Sequence, residues 1–200
     1  MTDADITAKL EKPGAGLPLA ESLVLRFWVG PVMSKKASWE ENWRRFDKTT
    51  ASLLKLVDPL DETQLTTKVL VPSQRGLEDS SRYWSAAMLL EHLVIVGQQV
   101  KGGVLALSRD VIPKGKASVA AVKPPGQMTG AEAVALYKNF ASTLKADIDT
   151  GVKDKDSKAK FRHPWLGPLT CRQWQWLFAA HQSIHLHQLH EIVKRLPARQ

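Results

Sequence analysis

Apolar residues recur at intervals of three and four in four stretches of the chain, the spacing of helices that bury one face. The first stretch runs from Ser38 to about Val57, with Trp39, Trp43, Phe46, Thr50, Leu53, Leu54 and Val57 on the repeating positions. The second, from about Ser81 to Ser108, repeats through Met88, Leu89, Ile95, Val96, Val100 and Leu107. The third starts at Thr129 and continues through Ala133, Leu136, Tyr137, Phe140, Leu144 and Ile148, and the fourth runs from Thr170 to about Leu196, where Pro197 stops it. Ser38 with Glu41, Thr129 with Glu132 and Thr170 with Gln173 have the spacing of capping boxes, which satisfy otherwise orphaned N–H groups at a helix start. No strong strand alternation and no internal repeat interrupts this pattern. It predicts an all-α protein, a four-helix bundle over residues 38–200.

The joints between the stretches, 58–81, 112–128 and 149–169, are longer than a minimal bundle needs, which usually signals function or local disorder. Residues 17–37 predict a short helical extension lying against the bundle or a neighbouring subunit. Residues 1–16, polar and rich in acids, are expected to be disordered.

Composition narrows the class. A chain of 200 residues, 44% hydrophobic and 24% charged, is most simply one globular domain. Its single cysteine, Cys171, excludes an internal disulfide framework and fits a reducing compartment. The start of the chain has neither the basic nor the apolar region of a secretory signal. The apolar run 23–33 is short for a membrane span and contains Arg26, Gly30 and Pro31. A cytoplasmic location away from membranes is expected. The net charge of +8 is scattered, and in residues 151–162 lysines alternate with acids, so it predicts a solvated surface rather than a nucleic-acid interface.

The candidate chemistry lies in the histidines. Four of the six occupy "HQSIHLHQLH" (181–190). A helix advances about 100° per residue, so His181 and His185 lie within about 40° of each other on the face of Trp174, Leu177, Phe178 and Ile184. His187 and His190 project from the polar side. His92, on the second stretch, sits in mid-stripe among Met88, Leu89, Ile95 and Val96. A bundle converges such stripes. Each buried nitrogen without a partner costs ~1–3 kcal/mol, and Glu91 and Glu191 lie off the histidine faces. One divalent cation would serve all three rings, as a three-nitrogen set with a position open to water. That set suits zinc or nickel, with iron as a third choice. The alternative is three core histidines bonded to backbone or hydroxyl groups.

The residues that carry this pattern resemble a known family. "YWSAAMLLEHLV" (83–94) followed by "HPWLGPLTCRQWQWLFAAHQSIHLHQL" (163–189) is similar to the DinB-like superfamily of metal-binding four-helix bundles, at Trp84, Ser85, His92, His163, Pro164, Gly167, Thr170, Trp174, His181 and His185. The likeness spans most of 38–196 and leaves 1–37 outside. It implies a divalent metal on His92, His181 and His185, frequent homodimerisation, and chemistry like that of the thiol-dependent S-transferases and maleylpyruvate isomerase of the family, in which the metal activates a low-molecular-weight thiol.

The resulting expectation is a metal-dependent S-transferase or hydrolase, set against a non-catalytic stress or interaction protein of the same fold. Gln99 and Gln188 are expected to orient a ligand or water beside the metal. Cys171 reads as a passive helix-start residue rather than a nucleophile, and His163, before Pro164, as a cap of its loop, with a place lining the mouth of the site as the alternative. Trp165 and Trp174 read as packing, and Trp176 falls on an outer face that could mark a subunit contact. Gly97, Gly102 and Gly103 permit close helix approach or bending. No phosphate loop, dinucleotide fingerprint or nucleophile elbow occurs.

Overall fold

All four periodic stretches fold as helices in a computed structural model that describes residues 2–197. Met1, part of the stretch expected to be disordered, and residues 198–200, the end of the expected bundle, lie outside the described residues. In chain order the helices are α1 (Asp3–Thr7), α2 (Leu19–Val24), α3 (Trp39–Val57), α4 (Glu62–Thr66), α5 (Ala86–Leu107), α6 (Gly130–Gly151) and α7 (Cys171–Arg195). Two antiparallel pairs of short strands lie in the joints: β1 (Val69–Leu70) with β2 (Tyr83–Trp84), and β3 (Phe161–His163) with β4 (Gly167–Leu169). Segments of two or three residues have no room for an alternating pattern, so periodicity does not reveal them.

The long helices form a ring in which α7 packs on α3 and α5, and α6 packs on α5, while α3 and α6 meet more sparsely. Leu53, Leu89, Leu90, Leu107, Leu144, Ile148, Leu189 and Ile192 fill the interior. Trp43 stacks on Phe178 at 5.7 Å across the α3–α7 seam. A polar pair closes the same seam, Asn42 Nδ2 donating to Gln175 Oε1 at 2.8 Å, while Gln182 Nε2 of α7 reaches α6 by donating to the Tyr137 hydroxyl at 2.8 Å. Gly97 lets α5 approach α6 closely, because a Cβ there would collide with the Phe140 ring.

The helix starts follow their caps. The Ser38 hydroxyl accepts from Glu41 N–H at 3.0 Å, and Thr129 and Glu132 form a full capping box. The Thr170 N–H and hydroxyl both donate to Gln173 Oε1. Helix α5 begins four residues later than the sequence pattern suggests. Residues 83–84 pair as a strand, and Ser85 caps the helix by accepting the N–H of Met88 at 3.2 Å.

The N-terminal segment straps across the bundle. Residues 3–16, where composition leads to an expectation of disorder, carry α1 and bond to two acids of the 58–85 joint. Asp79 accepts the N–H of Glu11 at 2.9 Å, and Glu78 accepts those of Gly14 and Gly16 at 3.0 and 3.1 Å. Such partners lie more than sixty positions away and leave no local mark. Residues 17–37 contain α2, a π-helical turn over Leu25–Val29 and a 3₁₀ turn, and Gln173 Nε2 ties them to α7 by donating to Gly30 O at 2.9 Å and Ser34 Oγ at 2.7 Å. Among the described residues no helix is long and apolar enough to cross a membrane.

Candidate metal centre

His92 on α5 and His181 and His185 on α7 meet between the two helices. His181 Nε2 stands 3.1 Å from His185 Nε2 and 3.3 Å from His92 Nε2. Ligand atoms of all three lie within 4.8 Å of one another. Nitrogens bound at about 2.0–2.1 Å to one tetrahedral ion stand about 3.3 Å apart, so the spacing suits a single cation.

The far edges of two rings fix which nitrogens carry protons. His92 Nδ1 is 2.7 Å from Val122 O, an acceptor only, so the proton is on Nδ1 and the Nε2 lone pair faces the centre. Gln188 Nε2 donates to Ser81 O at 2.7 Å, which turns Gln188 Oε1 toward His185 Nδ1, also at 2.7 Å. His185 therefore presents its Nε2 lone pair in the same way. Trp84 braces both rings, stacked on His185 at 6.0 Å and tilted against His92 at 4.9 Å.

Electrostatics favours the neutral, ligating form. Burial, reinforced by His185 and Lys123, holds the His92 pKa well below 6.5 despite the bond to Val122. Burial and then the neighbouring His185, His92 and His163 do the same to His181. His185 is pushed down to about 4, chiefly by burial. A second polar cluster flanks the centre. Lys123 Nζ lies 3.1 Å from Glu78 and 5.4 Å over the Trp84 ring, and its pKa is lowered by burial against the pull of Glu78. Burial works to raise the Glu78 pKa, but bonds from Ser80, Gly14, Gly16 and Lys123 outweigh it and hold the carboxyl below its ordinary value.

The three rings border a cavity of about 500 Å³ between α5, α7, the β3–β4 turn, the 112–123 loop and the π-helical turn of the strap. Gln188 stands beside His185, its Oε1 facing Nδ1 on the far edge of the ring. Gln99 is exposed on the cavity wall. Trp176, expected on an outer face, lines the cavity as well, since the strap roofs that side of α7. His187 and His190 are exposed. Cys171 is buried with its thiol 3.5 Å from Val104 O, and burial pushes its pKa up to about 11, the reverse of an activated nucleophile.

The sequence pattern missed the cavity's other contributors. Leu25 and Val29 come from a segment too short to show periodicity, and Val122 contributes a backbone oxygen that any residue would supply. His163, read as a loop residue or one at the mouth of the site, stands in the cavity wall and accepts backbone N–H groups of its own turn.

Comparison with known proteins agrees with this architecture. No curated protein matches the chain. Among solved structures, YfiT from Bacillus subtilis, described as a probable metal-dependent hydrolase with an unusual four-helix bundle topology, superposes with a TM-score of 0.57 at 19% identity, over 80% of this chain and 90% of that one. The four-helix bundle protein TT2238 superposes with a TM-score of 0.53 at 23% identity, over 76% of this chain and 98% of that one. At such identities the likeness establishes the fold. The family itself follows from a sequence model that spans residues 45–189, from within α3 to beyond the last inward histidine, and by it the chain belongs to the DinB superfamily.

Proposed function

We propose that this chain is a divalent-metal-dependent enzyme that transfers a thiol or hydrolyses a small molecule, with zinc or nickel held by His92, His181 and His185. The observation that carries the reading is the convergence of three Nε2 atoms, two with lone pairs fixed toward the centre. A divalent ion there supplies Lewis acidity, which lowers the pKa of a water or thiol beside it. Val122 and Gln188 keep two imidazoles in the ligating tautomer, and Trp84 limits their rotation. A purely structural zinc site is closed by four protein ligands; here three border a cavity, which favours turnover over a non-catalytic role. The apolar ridge of Leu19, Leu23, Phe27 (70% exposed) and Trp28 (55% exposed) supports a homodimer as part of the same proposal, to be read by light scattering in solution.

The test is metal uptake by chelator-treated, untagged protein, followed by unfolding in denaturant. Zinc or nickel at a hundred times its Kd should add about 2.7 kcal/mol of stability. His185→Ala should abolish the gain, and His190→Ala should keep it. A wild type that neither metal stabilises would remove the basis of the proposal. Turnover of electrophilic acceptors with small thiols then separates an enzyme from a metal-binding scaffold.

A further inference from the structure

His163 stands in the cavity wall and the proposed chemistry leaves it unused. It closes β3, and its Nδ1 is 3.2 Å from both the N–H of Trp165 and the N–H of Leu166. Both groups are donors, so Nδ1 must accept and the ring proton must sit on Nε2. Burial, and secondarily the nearby Arg26, lowers the ring's pKa to about 4, so this neutral tautomer persists at ordinary pH. The ring packs against Trp174 at 5.7 Å and Trp165 at 6.2 Å. Among the described residues no acceptor meets the Nε2–H, nor is that atom among the buried polar atoms that lack a partner, so it opens to the cavity. His163 also lies near enough to His181 that charging one ring would oppose charging the other. A half-buried ring with a fixed tautomer, an open N–H and a shared cavity has the makings of a ligand contact.

The rest of the wall indicates what it contacts. Leu25, Val29, Val96, Trp165, Trp176 and Leu177 make it mainly apolar. Its one acid among the described residues, Glu78, is engaged by Lys123, and Lys116 and Lys123 leave the lining positive. Cavities of this size and mix enclose small molecules with an apolar body and few polar groups. We propose that His163 is a ligand-binding residue whose Nε2–H donates to the carboxylate of a mainly apolar small molecule, seated in this cavity beside the three histidines. This rests on the metal-dependent reading in one respect, that a divalent ion on the three histidines would attract the carboxylate's other oxygen; the donor itself is a property of the chain.

The probe is 2-naphthoate, with 2-methylnaphthalene as the analogue that lacks the carboxylate. His163→Asn leaves an amide oxygen able to accept the same two backbone N–H groups, as in an Asx turn, while deleting the ring donor. By calorimetry the zinc-loaded wild type should bind naphthoate. His163→Asn should bind zinc as the wild type does, lose tenfold or more in naphthoate affinity, and bind methylnaphthalene unchanged. Equal naphthoate affinity in the two proteins, or no naphthoate binding by the zinc-loaded wild type, overturns the proposal. Should the variant misfold, or should the wild type take up no zinc (which would sink the metal reading alone), the His163 Hε2 resonance of the wild type decides. It should shift when naphthoate is added, and an unmoved resonance overturns the assignment.

Discussion

Gln188 offers the sharpest test of how the centre is built. The residue is fully buried, its oxygen faces His185 Nδ1 at 2.7 Å, and its nitrogen donates to Ser81 O at 2.7 Å. Gln188→Met keeps about the same volume, so no cavity term enters. It strands two buried polar groups, the His185 Nδ1–H and the Ser81 carbonyl, each costing ~1–3 kcal/mol. The metal-free variant should therefore unfold ~2–6 kcal/mol more easily, unless His185 escapes by moving its proton to Nε2. That escape has its own signature, because the proton then occupies the lone pair turned toward His181. Either way zinc affinity should fall about 10–100-fold, the usual effect of removing a partner that orients a ligating histidine. Calorimetric zinc titration with urea unfolding of the chelated protein measures both. Gln99→Met is the control: it is exposed and touches none of the three rings, so both readouts should stay near wild type. A Gln188→Met protein that binds zinc within twofold of wild type would refute the claim that the amide selects the ligating tautomer.

Two further outcomes follow from burial and packing. The metal-free protein should lose stability as pH falls from about 6.5 toward 4. The unfolded chain's histidines protonate near 6.5, while folded His163 and His185 stay neutral to about 4, so protons bind the unfolded state first. For buried His185 alone the loss at pH 5 is about 2 kcal/mol; guanidinium unfolding at pH 7.5 and 5.0 measures it, and a flat profile would contradict the assigned burial. Gly97→Val should cost ~1–3 kcal/mol by forcing α5 off the Phe140 ring, whereas Gly102→Ala, which meets open space on the same helix, should gain up to about 1 kcal/mol in helix propensity. Denaturant midpoints that moved equally for the two would argue against the close α5–α6 contact.

What the sequence makes legible is what repeats. The four long helices show because burial of one face imposes a period on twenty residues at a time. The histidine centre shows because His181 and His185 are one turn apart and His92 shares a stripe with core residues. Gln188 was within reach for the same reason, three positions beyond His185. Gln99 shows that helical phase states direction but not surroundings: seven residues on from His92 it still points the same way, but there the face lines the open cavity. Tertiary contacts between backbone and side chain leave no period at all. The bonds of Glu78 and Asp79 to residues 11–16, of His92 to Val122 O, and of His163 to its turn are of that kind.

The hydrogen bonding itself argues for a cation. His92 and His185 each commit their only ring proton outward, to Val122 O and Gln188 Oε1, and so turn two lone pairs toward His181 Nε2. If that atom carries a proton, one N–H faces two acceptors; if it does not, three lone pairs face one another at 3.1 and 3.3 Å. Protonating a ring would relieve the mismatch, but burial opposes charge at all three. A core selected only for packing could place any apolar residue at these positions and avoid the penalty of ~1–3 kcal/mol for each unmet polar atom. A divalent ion satisfies all three nitrogens at once with the tautomers already in place. The two outward hydrogen bonds are then what makes the site ready for an ion, and a protein that kept the three histidines but lost those bonds should bind it poorly.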